Sequence, residues 1–191
     1  MTGDTLDRLV EEHRSLERLF DELASTSDTT EEEEPVLPAA KKKALILHIS
    51  RVISTHEDVE ASILGPFIRS RLAEGHRLSR SQRRRYHQTE KLLAIIARRS
   101  ISSPDLSELL TQATEAVVEV MAEQESTTFP QIRAALRGDD LAQLEHKEAS
   151  ARRHASTRPH PYVSHRGALA RLIRAVLAFV DKLRDHIVPR L

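Results

Sequence analysis

The chain has 191 residues, with 29 Lys plus Arg balanced by 29 Asp plus Glu, a formal net charge of zero, and neither cysteine nor tryptophan. That length suits one domain of ordinary size with a core of its own. The missing cysteines exclude a disulfide framework, a thiolate nucleophile and Cys-ligated zinc or iron–sulfur clusters, and the balanced charge argues against nucleic acid as a partner. No apolar run approaches the roughly 18–20 residues that span a bilayer, so no transmembrane segment is expected. Met1 to Leu9 carries Asp4 and Asp7 and no apolar stretch, so no secretory signal is expected and the location read from the sequence is cytoplasmic.

Only 5 glycines and 3% aromatic residues accompany abundant Leu, Ala, Arg and Glu, a composition that favours helix. The first periodic segment runs from Asp4 to Ala24, with Leu6, Leu9, Val10, Leu16, Leu19, Phe20 and Leu23 on one stripe and His13 inside it. Ser25 to Pro38, with four consecutive glutamates and two prolines, reads as a solvated loop. The second helix runs from Ala39 to Leu64, where Gly65-Pro66 breaks or kinks it before a further turn or two to Leu72. Its stripe contains Ile49, Val52, His56, Val59 and Ile63, and Glu60 lies one turn after His56.

Gly75 to Ser81 reads as a connection and Ser81 to Arg99 as the third helix, with Tyr86, Thr89, Leu93 and Ile96 inward. Ser102-Ser103-Pro104-Asp105 is a helix start, and the fourth helix runs from Asp105 to Thr127, with a further turn through Phe129-Pro130 to Leu136. Asp139 to His154 reads as a polar fifth helix, Thr157 to Gly167 as an irregular strap, and Ala168 to Ile187 as a last amphipathic helix. No segment alternates with period two. The expected architecture is all-α: an antiparallel four-helix bundle over residues 1–137, with a C-terminal helical extension, 138–191, packed on it.

A bundle interior is a place where side chains from several helices converge on an ion. His13, His56 and Glu60 lie on apolar stripes, and H-x-x-x-E on one helix face offers an imidazole and a carboxylate to the same ion, a set suited to iron, manganese or zinc. The plainer reading is a core histidine hydrogen-bonded to its neighbours, with Glu60 paired to His13 or His56. On these three residues alone the plainer reading is favoured.

Further residues carry a resemblance. Leu9-Val10-Glu11-Glu12-His13, then His56-Glu57-Asp58-Val59-Glu60 followed by Ile63-Leu64-Gly65-Pro66, then Gln124-Glu125-Ser126-Thr127-Thr128-Phe129-Pro130, resemble the hemerythrin-like (HHE cation-binding) family in order and register. The tail, with Arg158-Pro159-His160-Pro161 and Asp181-Lys182-Leu183-Arg184-Asp185, resembles the C-terminal extension of actinobacterial members. The resemblance implies a four-helix bundle around a non-haem di-iron or other metal centre, in proteins that bind or sense oxygen, handle peroxide or nitric oxide, or buffer iron. It implies one His on the first helix, H-x-x-x-E on the second, His on the third and H-x-x-x-E on the fourth.

The chain keeps the first two and departs from the rest. Val120 and Gln124 stand at the fourth-helix ligand positions, and Glu123 and Glu125 each lie about 100° from Gln124 around the helix, so neither is expected to replace it. His87 is the candidate on the third helix, although Tyr86 holds the inward position there. His48, on the flank of the second helix, is read as a surface residue. A full di-iron centre is therefore not expected.

The leading expectation is a binding or regulatory module, not an enzyme, whose eroded metal site holds at most one iron on His13, His56 and Glu60, with His87 as a further candidate. The first alternative is a redox-active non-haem iron protein, related to oxygen, peroxide or nitric oxide chemistry, completed by tail ligands such as His160, His165 or His186. The second is a metal-free bundle that binds an unknown protein partner, or a second copy as a homodimer, through the last helix or the cluster Arg80, Arg83, Arg84 and Arg85.

Overall fold

The structure is a computed structural model that describes residues 3–25 and 39–155. The loop of residues 26–38, the strap, the last amphipathic helix and the histidines His160, His165 and His186 lie outside the described residues. The described elements are α1 (Thr5–Ser25), α2 (Ala39–Arg71), α3 (Gly75–Arg98), α4 (Leu106–Glu123), a π-helical turn (Gln124–Thr128), α5 (Phe129–Ala135) and α6 (Asp140–His154).

Helix α1 starts in a reciprocal cap, in which Asp4 accepts from the Asp7 amide at 2.9 Å while Asp7 accepts from the Asp4 amide at 3.0 Å. Lys43 on α2 closes the end of α3 by donating to the Ala97 and Arg99 carbonyls at 3.1 and 2.8 Å. Gly138, at φ 45°, takes the left-handed conformation that turns the chain from α5 into α6.

The buried stripes pack α1 to α4 as an antiparallel bundle. One core cluster joins Leu16 and Phe20 late in α1, Ile46, Ile49 and Ile53 early in α2, Leu93 and Ile96 late in α3, and Ala113 and Val117 in α4. The other joins Leu6 and Leu9 at the start of α1, Val59, Ile63 and Ile68 late in α2, Phe129 and Ile132 of α5, and Leu144 of α6. Each fully buried Leu or Ile contributes about 1.5–3 kcal/mol by leaving water. Between the two clusters the apolar core is interrupted by a buried polar layer: His13, His56, Glu60, Tyr86 and Gln124.

Two boundaries differ from the sequence reading. Helix α2 runs unbroken through Pro66 to Arg71. A proline costs a helix interior about 3 kcal/mol. Leu64 and Ile68 on either side are almost wholly buried, and Arg71 pairs with Asp140 of α6 at 3.0 Å, which together outweigh that cost. Helix α3 begins at Gly75, not Ser81, because α2 and α3 meet there in near contact: a Cβ on Gly75 would sit 2.0 Å from the Ile68 carbonyl oxygen. Helix α6 spans the stretch read as a polar helix and packs against α2 and α1.

Candidate metal centre

His13 on α1 is fully buried and His56 on α2 is 5% exposed. Their rings meet edge to face, with the two Nε2 atoms 3.2 Å apart. The far side of each ring is held by a carboxylate. His13 Nδ1 lies 2.7 Å from Glu125 Oε1, and His56 Nδ1 lies 2.8 Å from Glu12 Oε2. Each carboxylate is in turn held by an arginine: Glu125 by Arg14, Glu12 by Arg152 of α6 at 2.5 Å. Phe129 stacks on His13, ring centroids 5.8 Å apart and planes within 17°.

An ionised carboxylate only accepts, so it assigns the proton to Nδ1 in both rings. Glu12 is held below its ordinary value: burial raises it, but the hydrogen bond to His56 and the charges of His56 and Arg152 outweigh burial. His13 is pushed down to about 4, first by burial and then by the charge of His56, with Glu125 opposing. Where Nδ1 carries a ring's proton, Nε2 turns a lone pair toward the other ring, and across 3.2 Å a proton shared by the two rings or a cation fits between them.

Glu60, 2% exposed, brings a carboxylate to the same layer, its Oε2 3.8 Å from His56 Nε2. Its oxygens are already engaged. Tyr86 donates its hydroxyl to Oε2, and Gln124 Nε2 lies 2.7 Å from both oxygens and 2.8 Å from the Tyr86 hydroxyl. Burial pushes the Glu60 carboxyl up, with the charge of His56 and the Tyr86 and Gln124 hydrogen bonds pulling it back, and burial likewise pushes the Tyr86 phenol up.

Among the described residues no group of three or more His, Asp or Glu side chains stands ready as a metal cage. The imidazole pair nonetheless fits one ion. Two ligands at about 2.1 Å from a common metal, roughly at right angles, place their nitrogens about 3 Å apart. The outward carboxylates are the partners that orient such ligands. Among the described residues, positions 120 and 124 offer a second ion neither imidazole nor carboxylate: Val120 is an apolar side chain, and Gln124 and Tyr86 spend their protons on Glu60.

The structure thus gathers His13, His56 and Glu60 into one layer. It does not bring in His87, which lies half-buried beside Tyr86 and makes no hydrogen bond among the described residues. The winding of α3 turns Tyr86 inward and its neighbour sideways. His48 is exposed. Of the arginine cluster, Arg85 pairs with Glu123 and Arg83 donates to Ser79 at 3.0 Å.

The sequence reading missed Glu125, Glu12 and Arg152 as parts of the site. Glu125 was expected off the stripe. It reaches His13 because residues 124–128 form a π-helical turn, in which Phe129 N–H bonds back to the Gln124 carbonyl. A π turn holds more residues, so neighbours are separated by less than the about 100° of an α-helix, and Gln124 and Glu125 both face the layer. Glu12 adjoins His13 in the motif but carries no signal of its own, and Arg152 has none in the pattern.

A helical bundle with a polar layer of this kind defines a class of proteins that place a cation site between helices. The chain matches the family model of the Hemerythrin HHE cation binding domain over residues 4–132, and it belongs to that family. Neither the curated proteins nor the solved structures gave a match. No helix of the described residues is long and apolar enough to cross a membrane.

Proposed function

We propose that this protein is a cation-binding module of the hemerythrin type with a reduced site, holding one metal ion on His13 and His56 with Glu60 as the nearest carboxylate. The observation that carries this reading is the facing pair of Nε2 atoms at 3.2 Å, each ring anchored from behind by a carboxylate. Iron is the cation the family points to, and the imidazole and carboxylate donors suit it. When bound, such an ion supplies a Lewis-acidic, redox-capable centre in a buried setting. The chain's own residues hold the two rings, exclude bulk water through Phe129 and the flanking core, and keep Glu60 bound to Tyr86 and Gln124. The reading is of a binding or regulatory role, with Glu60, the nearest carboxylate, already taken up by Tyr86 and Gln124.

A second reading is supported by the hydrogen bonds that Tyr86 and Gln124 already give Glu60: a metal-free bundle in which a proton bridges His13 and His56. Elemental analysis separates the two. Protein expressed with iron supplementation and purified without chelators is expected to carry close to one equivalent of iron, lost in His56→Ala. Two equivalents would overturn the single-ion reading. None, with the variant unchanged, would leave the metal-free bundle.

A further inference from the structure

The two carboxylates behind the histidines are anchored differently. Arg14, which holds Glu125, is 45% exposed and shares its charge with Glu17 on the surface of its own helix. Arg152 comes from α6, beyond the matched residues 4–132; its side chain is 34% exposed, but it is tied to the buried Glu148. Its Nε and Nη2 donate to Glu148 Oε1 at 2.9 and 2.7 Å, while its Nη1 lies 2.5 Å from Glu12 Oε1. Glu148 is only 2% exposed, and Arg8 of α1 holds its other oxygen at 2.7 Å. Leu144 and Ala155 seat the two ends of α6 in the core cluster containing Leu6 and Leu9. The guanidinium of Arg152 is thus gripped on both edges, and it presents a fixed donor to one oxygen of Glu12 while His56 takes the other.

We propose that Arg152 is a positioning residue of the site: by fixing the outer oxygen of Glu12 it keeps the inner oxygen on His56 Nδ1 and so keeps His56 Nε2 aimed at His13. Glu12 is 26% exposed on a flexible side chain. Without Arg152 it is free to swing toward solvent, which takes the acceptor away from His56 Nδ1. The ring then loses the constraint on its orientation and tautomer, and a proton moved to Nε2 removes the lone pair that a cation needs. On this account α6 is part of the site and not only an appended helix, and its docking and the state of His56 are linked through one ion pair. The metal arm of the test rests on the single-cation reading; the arm on metal-free protein does not.

The test compares wild type, Arg152→Met, Arg152→Lys and Glu148→Gln. Nitrogen-15 histidine NMR of metal-free protein reads which ring nitrogen carries the proton, and cobalt(II), added as the metal alone, reads affinity. In R152M the His56 Nδ1–H signature is expected to disappear while that of His13 stays, and cobalt affinity is expected to fall about tenfold. R152K should restore part of both. E148Q weakens the grip on Arg152 but keeps the Arg152–Glu12 pair, so the His56 signature should weaken less than in R152M. An unchanged His56 signature in R152M overturns the proposal whatever happens to cobalt. Equal loss at both histidines, or the same loss in E148Q, also overturns it, since that reports a loosened helix only. If wild type takes no cobalt while R152M still loses the His56 signature alone, the cation reading fails and the positioning role stands. Should R152M lose helicity by circular dichroism, R152K and Arg152→Gln carry the same comparison.

Discussion

Glu125 Oε1 lies 2.7 Å from His13 Nδ1 although 112 residues separate them in the chain. The contact exists because one turn of the fourth helical stretch is π-helical and lets Gln124 and Glu125 face the same buried layer. The same layer divides the core into two apolar clusters, and within it His13 meets His56 and Glu60 meets Tyr86 and Gln124.

Tyr86 and its neighbour His87 should behave differently. Tyr86→Phe removes a donor from a buried carboxylate and is expected to cost about 1–3 kcal/mol, read from denaturant midpoints. His87→Ala should change stability by no more than about 0.5 kcal/mol and leave cation binding as it was. Loss of bound metal in H87A would return His87 to the site.

Gln124→Glu places a second carboxylate against Glu60, where the amide now lies 2.7 Å from both oxygens. The metal-free variant should lose about 2 kcal/mol at pH 7, from a lost donor and like-charge crowding. An added divalent cation should then raise its melting temperature more than it raises that of wild type. Thermal melts with and without cobalt(II) check both halves, and an equal response in the two proteins would count against it.

Gly75→Ala should be costly despite the small change. The new methyl would meet backbone, the Ile68 carbonyl, and not a yielding side chain. The turn between α2 and α3 has to open, at a cost of about 1–3 kcal/mol. Chemical unfolding measures it, and a neutral result would mean the two helices pack less closely than described.

Acid should destabilise the metal-free protein in two stages. His13 binds its proton near 6.5 when unfolded and only at about 4 when folded, so its contribution is complete above pH 6.5 and declines as pH falls toward 4. Within that window each pH unit costs up to about 1.4 kcal/mol. Glu148 is held below its unfolded value of 4.5, because Arg8 and Arg152 outweigh the effect of burial. Its contribution is complete above 4.5 and is lost as pH falls through the lower folded value. Urea unfolding at pH 7, 5.5 and 4.5 reads the first stage, which His13→Gln should flatten. A constant stability between pH 7 and 5 would contradict the assignment.

The stripes of Leu, Ile and Val, with His13, His56 and Glu60 set into them, were legible in the sequence because period and composition are local properties of each helix. So was the inward Tyr86, from its place on the stripe of α3. The passage of α2 through Pro66 and the early start of α3 at Gly75 were not. Local propensity opposes the first and is silent on the second, and the burial of Ile68 against neighbouring elements decides both.

By itself, the sequence determined that this is an all-helical chain of the HHE kind with two histidines and a glutamate on inward faces. Only the tertiary structure decided how those groups are used: Gln124 and Tyr86 hold Glu60, Glu125 enters through a π turn, and Arg152 reaches Glu12 from a helix beyond the matched family domain. The physical reason is that periodicity tells which way a side chain points on its own helix. Which nitrogen meets which oxygen depends on the offset and rotation of one helix against another, and those are set by packing between segments far apart in the chain.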